Sequence, residues 1–594
     1  MFWVAPSIRG GGIDSPRPAS QRAAALVLTA ALLTGAAFPA FADTYYIENG
    51  DITISAGESG NDVTQNNVTT KNDTNTIITN QKTDTASSHT VTIDAEDHKV
   101  EVTLDNVNIK ADSGSALTSI GDVTLTLKGE NHLTGGNGSG DSGISSSGSL
   151  TISGGENDSL TAQGGSGGDV IYGGDGITSS GSLTISGGTV TATGGNSTDS
   201  VGSGGSGIYS VSGDVTISGS STVTANGGSG TISGGSGIYS VSGDVTISGG
   251  TVTANGGSGK DGHGGYGISS SDVAISGGTV NANGGDCKDG YGGNGISSSS
   301  GVAISGGTVK AAGGNGKDGS GGNGISSTST TISGGTVTAN GGSDNSSGGN
   351  GIRSFDVAIS GGTVKAAGGN GGNGGNGIIG SGRVAISGGT VEAAGGNGST
   401  GGGSGIYSSV IDLSGSLELT AKAGSPNGKA LSQRGNELDL NTIKDKLGPG
   451  AKVTTTDADG KVIDQVPIPR PVEPEKPVIP GESSSSSDGG SSAPSAPASS
   501  LPGLTVTDKS GAVISYTSTQ SGNTLTVCVG RFTASLRASL SALRQLRAEG
   551  IETITFQTIL CSTTLSVDEL LAMGGEDAEA VLTHRFTDSS LTVG

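Results

Sequence analysis

The sequence is poor in the residues that build a conventional globular core. Only 31% of its 594 residues are hydrophobic and only 3% are aromatic, whereas glycine contributes 115 residues. Such a composition is low for a globule and typical of a thin solenoid. After the first 42 residues, no segment is long and apolar enough to cross a membrane. We therefore expect no membrane insertion once a signal sequence has been removed.

Positive charge is also scarce. The chain has 30 Lys and Arg against 53 Asp and Glu, which gives a formal net charge of −23. An acidic surface repels nucleic acid and anionic membranes, so neither is expected as a partner. The same surface is compatible with divalent cations and with neutral polymers.

Cysteine is limited to three residues, Cys287, Cys528 and Cys561. A disulfide is allowed outside the cell. Cys528 falls in one predicted strand and Cys561 just past another, within the same C-terminal segment. A bridge between them and a pair of buried free thiols both stay open, whereas Cys287 stands alone in a loop and is expected to be incidental.

What the sequence does have is one pattern, repeated about ten times over residues 143–423. A representative copy contains Ile238, then Val245-x-Ile247, then Val252-x-Ala254, and each piece is bounded by glycine or Ser-Gly. This alternation is typical of short strands with one buried face. Each copy opens with Gly-Ile, at Gly143, Gly176, Gly207, Gly237, Gly267, Gly295, Gly324, Gly351, Gly377 and Gly405.

The repeat predicts an all-β fold, a single-stranded right-handed parallel β-helix of about 13 coils with a period of 26–33 residues. A propeller is the main alternative, but its blades need longer strands and about 40 residues each. Stacked coils would align three internal columns of β-branched side chains. The columns are Ile208, Ile238, Ile268, Ile296, Ile325 and Ile352; Ile217, Ile247, Ile275, Ile304, Ile332, Ile359 and Ile386; and Val223, Val252, Val280, Val309, Val337, Val364 and Val391.

The remaining chain divides into flanking segments. We predict a signal peptide at 1–42, an N-terminal cap with the first coils at 43–142, a C-terminal cap at 424–466, a Pro/Ser-rich linker at 467–500 and a small α+β domain of unknown role at 501–594. The protein is therefore expected to be secreted, with attachment to the cell surface left open. Within the last segment, Leu536, Leu540, Leu543 and Leu546 are predicted to share one face of a helix that ends at Gly550.

One stretch of the chain resembles a known family. The segment VTLDNVNIKADSGSALTSIGDVTLTLKGENHLTGG (102–136) is followed by many ISGGTVTANGG units. Together they are similar to the carbohydrate-binding-domain proteins secreted by cellulose-degrading and gut Firmicutes, over residues 45–425. The resemblance implies a right-handed parallel β-helix that binds plant polysaccharides of the cellulose or pectin type, and calcium, without cleaving the polymer. It implies no ligand residue, because the shared motif consists of residues that form the fold.

Candidate binding residues cluster where the repeat varies in length, between the third strand and the next Gly-Ile. Insertions on one edge of a solenoid often mark a binding face. Carbohydrate sites favour aromatic faces and hydrogen-bonding side chains, whereas the alternative is a solvated loop with local ion pairs. The predicted polysaccharide-binding residues are Asp261, Asp289, Asp318, Tyr266 and Tyr291 at this edge, and Tyr209 and Tyr239, which should stack on adjacent coils.

Calcium is predicted at two places. Asp214, Asp244 and Asp272 precede the second strand of successive coils, so stacking would bring like charges about 5 Å apart. A Ca²⁺ ion between neighbours would relieve this repulsion, although each aspartate could instead close a turn through backbone bonds. Asp169 belongs to a match to the GGxGxDxUx calcium nonapeptide over residues 164–172, which is not repeated in tandem.

These observations favour a secreted, non-enzymatic polysaccharide-binding protein of undetermined oligomeric state. A cell-surface adhesin or structural stalk that binds host or neighbouring-cell proteins is the first alternative, and a pectin-active β-helix enzyme is the second. Gly262-His263-Gly264 matches a short polygalacturonase motif. Cleavage also needs paired carboxylates, and the sequence contains no Asp-Asp, Asn-Thr-Asp or Arg-Ile-Lys. His263 is therefore interpreted as a loop residue.

Overall fold

The computed structural model describes residues 43–166, 171–468, 503–508, 513–514, 516–521, 523–529, 533–558, 562–573, 579–585 and 588–593. Contacts divide the chain into two units, residues 1–474 and 475–594. The predicted signal peptide, nearly all of the predicted linker, Asp169 and Cys561 lie outside the described residues. Secretion, a calcium site at Asp169 and the Cys528–Cys561 bridge therefore stay predictions.

The larger unit is a β-solenoid of about 15 stacked turns, and the described chain is 53% strand and 5% helix. The prediction of an all-β parallel solenoid is thus confirmed, while its right-handed sense stays a prediction. The number of turns exceeds the expected 13, because coils continue into the segment predicted as a C-terminal cap. There, Leu431–Gln433 and Lys452–Thr456 still pair in parallel with strands of the preceding coil.

Each repetitive coil contributes strands to three parallel ladders, which we name first, second and third in chain order. In the early coils, the first ladder comprises Ile144–Ser146, Ile177–Ser179, Ile208–Ser210 and Ile238–Ser240, and the second comprises Leu150–Gly154, Leu183–Ile185, Val215–Ile217 and Val245–Ile247. In later coils one run serves both ladders: Ile268–Ile275, Ile296–Ile304, Ile352–Ile359, Ile378–Ile386 and Ile406–Leu413, with Ile325–Ser326 and Ser329–Ile332 still separate. The third ladder comprises Ser159–Gln163, Thr189–Thr193, Thr222–Asn226, Thr251–Asn255, Thr279–Asn283, Thr308–Ala312, Thr336–Asn340, Thr363–Ala367, Thr390–Ala394, Glu418–Lys422 and Lys452–Thr456.

The three predicted internal columns are confirmed. Every member is at most 1% exposed, and neighbours are paired in register, as in Ile247 with Ile275 and Ile275 with Ile304. The strands alternate inward aliphatic with outward Thr, Ser or Lys residues, so one face of each strand is buried and the other is solvated. The core is therefore a narrow stack in which each coil supports the next.

Each end of the solenoid includes antiparallel strands beside its terminal parallel coils. At the N-terminal end the strands are Thr44–Tyr46, Ile52–Ala56, Asn61–Gln65, Val68–Asp73, Thr76–Thr79, Val91–Asp105, Asn108–Lys110, Leu117–Lys128 and Glu130–Thr134, with a 3₁₀ turn at Ile47–Asn49. Asn61–Gln65 pairs antiparallel with both of its chain neighbours. At the other end Asn436–Glu437 pairs antiparallel with Leu431–Gln433, and Val462–Pro467 pairs antiparallel with Lys452–Thr456. 3₁₀ turns lie at Leu440–Thr442 and Lys444–Lys446. These strands cover edges that would otherwise pair with another chain.

The length-variable loops form an ordered stack, which we call the fin. It consists of loops 196–204, 229–234, 258–264, 286–292, 315–321, 343–348, 370–374 and 397–402. Parallel bridges join successive loops, as at Ser233 with His263 and at His263 with Tyr291, and Gly371–Asn373 pairs with Gly398–Gly401. Cys287 is 4% exposed inside the fin. The loops are thus an ordered extension of the solenoid, although residues such as Lys260 and Asp261 are solvent-exposed.

A glycine neck joins the fin to the coils. The glycine pairs that begin and end each loop form one continuous run of backbone hydrogen bonds, in which Gly257 N–H donates to Gly235 O, Gly265 N–H to Gly257 O and Gly285 N–H to Gly265 O, at 2.7–2.9 Å. A Cβ atom at Gly265 would overlap the carbonyl oxygen of Gly235. Glycine is therefore required at the neck by close backbone approach.

The smaller unit is an α+β module. An antiparallel sheet contains Val513–Ile514, Leu504–Thr507, Thr533–Ser539, Glu579–Arg585 and Asp588–Val593, and a mixed sheet contains Thr517–Ser521, Thr524–Cys528, Thr553–Gln557 and Ser562–Ser566; the helices are Leu540–Ala548 and Val567–Met573. Leu536 was wrongly predicted on a helix, because Ser539 caps the helix by accepting from Ala542 N–H and leaves Leu536 in the preceding strand. No helix among the described residues has both the length and the apolar character needed to span a bilayer.

Candidate functional site

A groove of about 390 Å³ lies where the fin meets the first ladder. Four successive coils line it with residues at three kinds of position, of which the first two are supplied by every coil and the third by the last two coils. These are a fin residue, the residue before Gly-Ile and an outward residue of the first ladder. The lining residues are His263, Gly264, Tyr266, Tyr291, Gly292, Asn294, Ser320, Gly321, Gly322, Asn323, Ser326, Ser347, Gly348, Gly349, Asn350 and Arg353.

Aromatic rings are exposed along the groove. Tyr266 is 37% and Tyr291 is 50% exposed. The Tyr291 ring stacks on His263 of the preceding coil, with ring centroids 5.1 Å apart and planes at 21°. Stacking on His263 covers one face of the Tyr291 ring and restrains its orientation, and the exposed half of the side chain can contact a ligand with an apolar surface. His263, which the sequence analysis interpreted as a loop residue, also contacts the Tyr291 ring and restrains its orientation. The two residues occupy equivalent positions of successive repeats, so this contact could have been predicted.

The row of residues before Gly-Ile supplies amide groups. Asn323 and Asn350 each donate from the backbone N–H and from Nδ2 to the side-chain oxygen of the asparagine one coil earlier, at 2.8–3.1 Å. Asn376 continues the row in the same manner. Each amide is held by its neighbour, so the row is a preorganised set of hydrogen-bonding groups. The sequence signal for it is the recurring Asn-Gly-Ile triplet.

The predicted pair Tyr209 and Tyr239 lies on the first-ladder row that also supplies Ser326 and Arg353 to the groove. The two rings are 5.6 Å apart and tilted by 44°. Burial, followed by the Asp175 carboxylate, raises the pKa of Tyr209. Both predicted tyrosine pairs therefore lie along one surface parallel to the solenoid axis.

The predicted aspartates of the fin lie elsewhere. Asp261, Asp289 and Asp318 are exposed and are not among the residues that line the groove. Asp261 forms a 3.5 Å ion pair with Lys260, an exposed contact that contributes little stability. Asp261 therefore forms the local ion pair that the sequence analysis gave as the alternative to polysaccharide binding.

The aspartates before the second strand hold neighbouring coils together. Asp214 Oδ1 accepts from Asp244 N–H at 2.9 Å, and Asp244 Oδ1 accepts from Asp272 N–H at 3.1 Å. The carboxylates of Asp214 and Asp244 therefore bond to the backbone of the next coil, whereas the predicted alternative was that each aspartate closes its own turn. Among the described residues no three His, Cys, Asp or Glu side chains form a cluster for a metal ion. Calcium at Asp214, Asp244 and Asp272 stays a prediction.

Asp175 occupies the same row as the asparagines, in an earlier coil. It is partly buried, accepts from Ser206 N–H at 2.6 Å and from Thr178 Oγ1 at 3.0 Å, and burial raises its pKa to about 6. A carboxyl group whose folded pKa exceeds the unfolded value of 3.8 favours folding below pH 4. This contribution is lost as the pH rises through about 6.

Replacing Asp175 by asparagine is therefore expected to stabilise the solenoid at pH 7 by ~1–2 kcal/mol, discounted for partial exposure. At pH 4 the variant and the wild-type protein should melt together. Thermal melting at both pH values measures the difference. An equal shift at the two pH values would show that the carboxylate charge is not its cause.

The chain matches no protein-family model, no curated protein and no solved structure.

Proposed function

We propose that the solenoid is a secreted, non-catalytic polysaccharide-binding protein, and that the polymer lies along the groove. The observation that carries the proposal is the alignment of exposed tyrosine rings with a preorganised amide row, both parallel to the axis. Sugar rings present apolar C–H faces and a rim of hydroxyl groups, so stacking on tyrosine and hydrogen bonding to amides serve the same ligand. Adjacent coils repeat the amide groups about every 4.8 Å.

The charges of the groove and of the whole chain favour a neutral polymer as the ligand. Its lining contains one cationic residue, Arg353, beside neutral amides, hydroxyl groups and glycines, whereas the whole chain is strongly acidic. Neutral polymers avoid the repulsion that a polyanion would meet from the protein as a whole. Neutral polysaccharides are therefore the first ligands to test.

The test compares the wild-type protein with Tyr266→Ala/Tyr291→Ala in affinity electrophoresis through cellulose derivatives, xylan, mixed-linkage glucan, starch and polygalacturonate. The wild-type protein should be retarded by at least one neutral polymer, and the variant should bind it at least tenfold more weakly, about 1.4 kcal/mol. Because both rings are exposed, stability should change by less than about 1 kcal/mol.

Thr251→Ala/Thr253→Ala, on the outer face of the third ladder, is the matched control and should bind like the wild-type protein. If the tyrosine variant is retarded as strongly as the wild-type protein, this groove is not the polysaccharide-binding site. Retardation by none of the polymers would contradict polysaccharide binding itself, and release of reducing ends from any of them would contradict the non-catalytic assignment.

A second candidate, an adhesin or stalk that contacts proteins, is favoured by a separate observation. The fin exposes Val201, 60%, and Ile232, 39%. Ile171, 47% exposed, and Tyr172, 62%, lie in the preceding coil, where Tyr172 bridges to Ser203 of the fin. Clustered exposed apolar side chains are typical of protein contact surfaces. If no polysaccharide is bound, replacing Val201 and Ile232 by serine should reduce attachment to cells under this second function.

A further inference from the structure

A buried carboxylate inside the fin has one oxygen without a partner. Asp344 is 6% exposed, and its Oδ1 accepts from Ser346 N–H at 2.6 Å. Its Oδ2 is buried and has no hydrogen-bond partner. An unsatisfied buried polar atom is unfavourable, and an ionised carboxylate oxygen is more so. The position therefore calls for a compensating group.

Further oxygens face the same space from the preceding coils. A Cβ atom at Gly316 would meet Asp344 Oδ2 first, then the carbonyl oxygens of Gly290 at 2.7 Å and Ser320 at 2.9 Å. Three oxygens from three loops of the fin thus surround one small volume that is open because residue 316 is glycine. Ser320 O also accepts the N–H of Gly292 at 3.0 Å, whereas Asp344 Oδ2 has no donor. The negative ends of the two carbonyl groups and the carboxylate repel each other.

The chemistry of this set selects the compensating group. A carboxylate and peptide carbonyls are hard oxygen ligands, which Ca²⁺ binds at 2.3–2.6 Å. A bound ion cannot occupy the Cβ position of Gly316 itself, because that point is only one bond length from the Cα atom. The ion would lie beside this position, among the three oxygens. Water can complete the coordination, because Asp344 and Gly316 also line an open polar cavity of about 450 Å³ with Asn315 and Asn370.

We propose that Asp344 Oδ2, Gly290 O and Ser320 O form a Ca²⁺ site inside the fin. The site differs from the aspartates of the second ladder, whose oxygens accept backbone N–H groups. It also needs no cluster of acidic side chains, because peptide oxygens supply the other ligands. The ion ties loops 286–292, 315–321 and 343–348 together, and it is independent of polysaccharide binding.

The test uses the full chain after treatment with a chelator and dialysis. CaCl₂ is titrated in by calorimetry, and thermal melting is recorded at each concentration. At one hundred times Kd the melting temperature of the solenoid is expected to rise by roughly 2–3 °C. Asp344→Asn should lower the calcium affinity at least ~30-fold, because a neutral amide replaces the charged ligand.

The variant also gives a signature that a folding defect would not. Without calcium, Asp344→Asn should melt above the wild-type protein, because its Nδ2 donates to the carbonyl oxygens; with saturating calcium the order should reverse. Asp318→Asn, an exposed aspartate of the same fin, should behave like the wild-type protein.

Three results would overturn the site. They are a calcium response that persists in Asp344→Asn, no saturable binding of Ca²⁺ at millimolar concentration, and an equal response to NaCl or KCl at matched ionic strength.

Discussion

Replacing Ile275 by aspartate is expected to unfold the central coils of the solenoid under conditions in which the wild-type protein is folded. Ile275 is 1% exposed and stacks between Ile247 and Ile304. A carboxylate there would be buried without a donor, which costs several kcal/mol. Each coil has few core side chains to offset this loss, and its neighbours depend on it for their own packing.

Thermal melting and limited proteolysis measure the effect. Ile275→Val is the matched control, because it removes one methylene and should destabilise by only about 0.5–1.5 kcal/mol. Cleavage in the aspartate variant should begin in the coils around residue 275. A melting curve and a protease pattern like those of the wild-type protein would show that the column is assigned wrongly.

Replacing Gly265 by alanine is expected to open the neck of the fin. The new Cβ would overlap the carbonyl oxygen of Gly235, and neither backbone can move without breaking the hydrogen bonds that Gly265 shares with Gly257 and Gly285. Overpacking ordinarily costs about 1–3 kcal/mol. We expect more than about 3 kcal/mol here, because the clash is with backbone and the bonds are lost as well.

Hydrogen exchange locates the damage. Amides of loops 258–264 and 286–292 should lose protection in Gly265→Ala, while the three internal columns keep theirs. Gly401→Ala is the control within the fin, since a Cβ there meets only Asn373 Oδ1 at 3.6 Å. If both variants exchange like the wild-type protein, close backbone approach is not the reason for glycine at the neck.

The internal columns could be predicted from the sequence because their signal is strictly local. Residues equivalent to Ile247 and Val252 recur in each repeat. β-branched residues that alternate with polar neighbours predict a strand with one buried face. The fin could not be predicted in this manner. Gly256-Gly257 and Gly264-Gly265 are also the common signature of turns. The hydrogen bonds that these glycines form with the glycine pairs of neighbouring coils are long-range contacts, which the local sequence does not indicate.

In the candidate site, too, some residues could be predicted from the sequence and others could not. Tyr266 and Tyr291 were identified by their place at the variable edge, and the two tyrosines lie in the groove. Asn323 and Asn350 were overlooked, because asparagine beside glycine is most often a turn residue. Asp244 was predicted as a calcium ligand on the basis of charge repulsion, with turn closure through backbone bonds as the alternative. In the structure its Oδ1 accepts a backbone N–H of the next coil, and calcium at this position stays a prediction.

Oxidative footprinting of the tyrosines, with and without the polysaccharide that retards the protein most, tests the central claim most directly. Polymer lying along the groove should protect Tyr209, Tyr239, Tyr266 and Tyr291 from hydroxyl radicals, and Tyr516 of the C-terminal module should be modified equally in both samples. Protection should disappear when the polymer is removed enzymatically. Unchanged modification of all four tyrosines in the presence of a polymer that is demonstrably bound would contradict the account.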